Sequence, residues 1–186
     1  MAAGYPDRRR KIASRSAFAE PGAQHRRVLR QHLRERTQPR FGVGTMAHIV
    51  QASELPDGRF ALAAVGVQRF RVDRWLPDDP YPRAEIVELV EPPVEPGVHE
   101  LIEPTVSALR SVYELAGRLQ EMGTQSAIVV SPDPEQAAYE IAALASLGPL
   151  DAQRVLELPD TDARLRVLGE LLSEHAAMLR ARLDEA

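Results

Sequence analysis

Hydrophobic positions recur with period two from Phe41 onward and with a helical period after Val98, and that change of period divides the chain. Phe41, Val43, Ala47 and Ile49 fall on one face of a strand, and Met46 and Val50 on the other. Both faces are fairly apolar, which suits a central strand. Leu55-Pro56-Asp57-Gly58-Arg59 follows as a hairpin turn, because glycine accepts the positive φ that such turns need. Phe60 to Val65 is the return strand, Gly66 punctuates it, and Val67 to Leu76 resumes it. There Phe70 and Val72 alternate with Arg69, Arg71 and Asp73, which predicts one buried and one wet face. Pro77 to Pro82 reads as a loop, since proline supplies no ladder donor. Arg83 to Glu91 is a further strand carrying Ile86, Val87, Leu89 and Val90. Strands at such short spacing predict an antiparallel meander curled into a barrel or half-barrel.

Pro92 to Gly97 is a stiff linker. Beyond it Leu101, Leu109, Val112, Tyr113, Ala116 and Leu119 form one helical stripe, with Pro104 tolerated near the first turn and Gly123 closing the helix. A second helix starts near Pro134, capped by Ser131 or Asp133, with Ala137, Ala138, Ile141, Leu144 and Ala145 on its apolar face and Gly148-Pro149 as its end. Asp151 is expected to cap a short helix through Leu158. Asp160 or Thr161 caps the last, whose stripe is Leu165, Leu168, Leu172, His175 and Leu179. The segment 98–186 therefore reads as a small helical bundle.

Residues 1–40 show neither period. They hold 11 Lys/Arg against 3 Asp/Glu, whereas 41–186 hold 12 against 24. An acidic body does not attract nucleic acid, because phosphate contacts need clustered cations. The first 40 residues read as a basic, disordered tail, with a marginal helix over Gln24 to Arg36. A tail for nucleic acid or an anionic surface, an organelle transit peptide, and a start-site or frame artefact are the alternatives for this stretch. No apolar run is long enough to span a membrane and no secretory signal is present, so the expected location is cytoplasmic. The chain has no cysteine, which excludes disulfides and thiolate metal sites.

Catalytic signatures are missing. There is no phosphate-binding P-loop, no G-x-S-x-G elbow and no H-E-x-x-H. A Ser–Lys dyad would have to use Lys11, the sole lysine, which lies in the tail. His25 and His32, seven apart, could share a helix face and are more often solvent-exposed than ligating; His48 sits in a strand as a packed or rim residue; His175 continues an apolar stripe as a partly buried histidine. The expected catalytic, cofactor and metal sites are accordingly none. The features suited to binding are apolar: Trp75, Leu76 and Tyr81 cluster around the 77–82 loop. A lone tryptophan at a strand end usually plugs a barrel; a peptide-binding rim is the alternative, and an exposed sheet edge suits strand addition.

FGVGTMAHIVQ, the LPDGR turn, VGVQRFRV and YPRAEIVEL, all within 41–91, resemble the N-terminal substrate-binding domain of the ATP-dependent Lon protease. DPEQAAYEIAALASLGPLDAQRVLELPDTDARLRVLGELL, Asp133 to Leu172, is similar to that family's helices, so the likeness covers about 41–180. It implies an α+β protein: a PUA-like antiparallel β-barrel portion over 41–92, followed by a C-terminal helical bundle. The family's opening apolar strand and turn are not visible in 1–40, which implies a barrel without its opening strands. The sequence ends at Ala186, before ATPase and peptidase domains would follow, which is similar to free-standing proteins of this family. The resemblance implies a non-enzymatic module that recognises unfolded or degron-bearing polypeptides, with an adaptor role in proteolysis and a protease as partner among the expectations. The alternatives are an RNA-associated module, since PUA-like barrels also bind RNA, and a small hydrolase with dispersed catalytic residues.

Overall fold

The computed structural model of the protein describes residues 9–13 (strand path only), 40–79, 81–119 and 128–185. They belong to two units that divide between Val90 and Glu91. The first is an antiparallel sheet of β1 (Arg9–Ala13), β2 (Val43–Glu54), β3 (Phe60–Leu76) and β4 (Arg83–Glu88), in the order β1-β4-β3-β2.

The β2–β3 turn follows from its residue chemistry. Gly58 N–H donates to Leu55 O at 2.9 Å, and Leu55 N–H donates to Arg59 O at 2.7 Å. Pro56 presets the first corner, and Gly58 takes φ 78°, which costs glycine little. Asp57 stiffens the turn by accepting from Arg59 N–H at 3.1 Å.

Three register shifts then shape the sheet. Val67 is the extra residue between the Met46–Gln68 and Ala47–Gly66 pairs, and Val50 the extra residue between Ile49–Ala64 and Gln51–Ala63. One lies on each strand, so the two cancel and the hairpin keeps its faces. Asp73 is the third, between the Val72–Ile86 and Arg74–Glu85 pairs. Close approach of the two long strands is built in at Gly44, where a Cβ would stand 2.6 Å from the Phe70 ring across the ladder. Gln68 extends the β3–β4 ladder, its side-chain amide donating to the Leu89 carbonyl while Leu89 N–H donates to Arg69 O.

Three expectations are corrected here. Among the described residues the sheet is not closed into a barrel: β1 and β2 form opposite edges. Closure requires the edge strands to meet, and among the described residues β1 and β2 do not pair. Arg9–Ala13, inside the expected disordered tail, pairs with β4 as a five-residue strand; the rest of the tail, including Gln24 to Arg36, lies outside the described residues. Arg69, placed by alternation on a wet face, is buried. Among the described residues the sheet's buried apolar side chains are Ala84 and Ile86, while most of β2 and the distal half of β3 are exposed.

The second unit holds a 3-10 turn (Val98–Leu101) and helices α1 (Ile102–Arg118), α2 (Pro134–Leu144), α3 (Pro149–Glu157) and α4 (Thr161–Asp184). Asp133 caps α2, accepting from Gln136 N–H at 2.9 Å, and Asp160 caps α4, accepting from Ala163 N–H at 2.8 Å. The cap of α3 is Gly148 without a side-chain bond, so Asp151 sits inside the first turn and does not cap it. Helix α1 ends at Arg118, and Gly123 lies outside the described residues. The expected stripes meet in one core: Leu109, Val112 and Ala116 of α1, Ala138 and Ile141 of α2, Leu165, Leu168, Leu172 and Leu179 of α4. Tyr113 donates its hydroxyl to Leu144 O at 2.9 Å, satisfying a carbonyl at the end of α2.

A polar cluster lies within this unit. Arg164 is fully buried, and its Nη2 stands 3.3 Å from Glu91 Oε2 and donates to Leu158 O. The guanidinium lies 4.6 Å from the Tyr139 ring centroid, and the Tyr139 hydroxyl donates to Glu91 Oε1 at 2.8 Å. Arg164 Nε and Nη1 and Thr161 Oγ1 have no hydrogen-bond partner among the described residues, which raises the dependence on Glu91.

Two stability outcomes follow. Gly58→Ala meets no atom within 4 Å, so its cost is backbone strain alone, about 1 kcal/mol in urea denaturation. Glu91→Ala strands a buried cation and should cost about 3–5 kcal/mol in the helical unfolding signal, whereas Arg164→Met with Glu91→Gln should cost markedly less. Equal losses for the two would show that the pair is not what holds the cluster.

Candidate functional site

The β3 bulge decides which way the candidate aromatic faces. In an uninterrupted strand, Trp75 would lie opposite in direction to Phe70 and Val72. Asp73 inserts one residue, so Trp75 pairs with Ala84 and shares a face with Phe70, Val72, Ala84 and Ile86. Leu76 pairs with Arg83 and points to the other face, beside Arg74 and Glu85. Tyr81 is half-buried in the β3–β4 loop, its carbonyl accepting from Asp79 N–H at 3.0 Å. Trp75, Leu76 and Tyr81 thus gather at one end of the sheet, with the first two on opposite faces.

Sequence reasoning missed Arg40 and Asp78. The Arg40 guanidinium sits 4.9 Å from the Trp75 ring centroid, and its Nη2 donates to both Asp78 oxygens, at 2.8 and 3.1 Å. All three side chains remain open to solvent: Trp75 is 40% exposed, and the Arg40 and Asp78 side chains are 41% and 47% exposed. An exposed cation–π contact contributes about 0.5–1 kcal/mol and an exposed ion pair about 0.2–1 kcal/mol, so the closure is weak. No local signal links residues 38 apart in sequence, and Arg40 reads as part of the basic tail.

On the reverse face, Arg74 donates to Glu85 at 2.8 and 3.2 Å, and this hydrogen bond and charge raise the Arg74 pKa. Arg59 with Asp57 and Arg83 with Asp79 are also paired, so four arginines of the sheet unit each face a carboxylate. Such internal neutralisation suits poorly a surface meant for phosphates.

The second feature is the hairpin's distal half. Ile49, Val50, Leu62, Val65 and Val67 are all about half exposed or more, and Phe60 to Val67 contains no polar side chain. Among the described residues the β2 strand forms an edge of the sheet. Together these give apolar surface on both faces beside a backbone edge. No group of three or more His, Cys, Asp or Glu able to hold a metal ion occurs among the described residues, and no helix among them is long and apolar enough to cross a membrane.

The family model described as the ATP-dependent protease La (LON) substrate-binding domain matches residues 26–174. That match begins inside the stretch expected to be a tail. A Lon protease 2 of Herpetosiphon aurantiacus is 32% identical over 146 residues, covering 77% of this chain and 18% of the relative. A Lon protease of Trichlorobacter lovleyi is 30% identical over 149 residues, covering 75% of this chain and 17% of the relative. The chain thus spans less than a fifth of the length of these curated relatives. The N-terminal domain of a Mycobacterium avium complex Lon protease has a similar fold, with TM-score 0.52 and 22% identity over 75% of each chain. The family model covers most of the sequence, and the chain belongs to the Lon substrate-binding-domain family.

Proposed function

We propose that this chain is a non-catalytic polypeptide-binding module of the cytoplasm, which recognises unfolded or degron-bearing segments and acts as an adaptor in proteolysis. The observation that carries the reading is the exposed apolar hairpin beside the β2 edge, in a chain of a substrate-binding family. Apolar side chains hold segments that folded proteins keep inside, and a strand edge bonds any backbone regardless of sequence. Trp75, Leu76 and Tyr81 flank the other end of the same sheet and are the proposed side-chain contacts. The family match is to a substrate-binding domain, which supports recognition of polypeptide.

Binding of a permanently unfolded, carboxymethylated protein, followed by anisotropy, tests the reading. Micromolar affinity for it and none for its folded form is expected. Leu62→Asp and Val65→Asp alter exposed positions, so the melting temperature should hold while affinity falls at least about tenfold. Unchanged affinity in both variants would remove the hairpin from the site. An adaptor also raises the rate at which a Lon-type protease degrades the captured polypeptide; no acceleration would leave a binder without that role.

A further inference from the structure

We infer that the Trp75 corner is a recognition site for a guanidinium-bearing side chain of the bound polypeptide, held in cis by Arg40. The inference rests on the polypeptide-binding reading and narrows it to segments carrying arginine. Its basis is the pairing of two features that recognise a planar cation: an aromatic face and a carboxylate beside it. Both are engaged by one guanidinium, which stacks at 4.9 Å on Trp75 while bonding Asp78 at 2.8 Å. Arg40 therefore displays how a substrate arginine would sit.

The arrangement permits exchange. Arg40 lies outside β2, and the contact it makes is on the surface. Releasing it breaks no ladder bond and exposes no core. An incoming arginine replaces it atom for atom, so the internal contact acts as a competitor that reduces apparent affinity by the fraction of molecules in which it is closed. Lysine, a point charge without a planar face, fits less well. Asp79, held by Arg83 only at 3.5 Å, adds a second carboxylate to the same loop. Beyond the corner, residues 41–186 carry 24 acidic against 12 basic side chains and the whole chain a net charge of −4, a field that modestly favours basic segments.

Trp75 is the sole tryptophan, so its emission reports the corner directly. The full chain is titrated with a blocked dodecapeptide bearing one arginine among apolar residues, and with the same peptide carrying glutamine instead. The arginine peptide should change Trp75 emission saturably and bind several-fold tighter than the glutamine peptide. Arg40→Ala should tighten the arginine peptide about three- to tenfold, and Asp78→Asn introduced into that variant should weaken it by a similar factor. Arg40→Ala with unchanged or lower affinity would make Arg40 a structural tie and overturn the inference. Equal binding of both peptides with equal Trp75 response would overturn guanidinium recognition and leave the polypeptide reading standing. Failure of both peptides and of unfolded protein would remove both.

Discussion

Burying Arg164 is the constraint around which the helical unit is arranged. A guanidinium removed from water needs compensation on several sides, and three elements supply it: Glu91 by charge, Tyr139 of α2 by its ring, and the Leu158 carbonyl ahead of α4. Glu91 is the first residue of that unit, so the requirement for a counterion fixes where the chain enters the bundle. The leucines of α1 and α4 supply most of the driving force by removing apolar area from water, but they accept many arrangements of similar volume. A single buried cation accepts few. Its remaining N–H groups without partners make the site still less tolerant of a shift in Glu91.

In the sheet unit a comparable role falls to one inserted residue. The register of β3 against β4 changes at Asp73, and every side chain beyond it changes face relative to unbroken alternation. That change puts Trp75 on the face shared with Ile86 and Arg74 opposite Glu85, where an ion pair covers the reverse side. Arg40 reaches the ring, and Asp78 in the loop after β3 reaches Arg40. The aromatic corner is thus a consequence of backbone register rather than of any local motif.

Much of this was legible in the sequence because it depends on local chemistry. The Leu55–Arg59 turn, the caps at Asp133 and Asp160, and the stripes of α1, α2 and α4 all rest on residues within a few positions of each other. So did the family, through the strand motifs and the helix sequences. What escaped depends on distance. Bulges at Val67, Val50 and Asp73 leave no consistent residue signature. Arg69 lies between two of them, on the face opposite Phe70 as alternation requires, yet it is buried, because period two assigns a face without saying what covers it. Gln68 was visible as a family marker, but its bond to the Leu89 carbonyl, 21 residues on, was not. The Arg164–Glu91 pair joins residues 73 apart, and Arg40 joins Asp78 across a whole hairpin. The barrel expectation failed for a related reason: period two predicts strands without saying which edges meet.

The exposed hairpin then has to be reconciled with a folded protein. Two long strands with apolar side chains on both faces gain little from each other, since a lone ribbon is marginal in water. The turn, the glycine at position 44 that admits the Phe70 ring, and the Gln68 bond preserve its shape at the base and the tip without covering its middle. A surface of that kind is an aggregation hazard unless something covers it. On the proposed function, an extended polypeptide would meet both demands at once, with backbone bonds along β2 and apolar contacts to the exposed hairpin. Backbone bonds and apolar contacts alone would set no register for such a chain. If the Trp75 corner, at the opposite end of the same sheet, takes an arginine as inferred, it adds a directional contact to that reading: affinity would come from the hairpin and placement from the arginine.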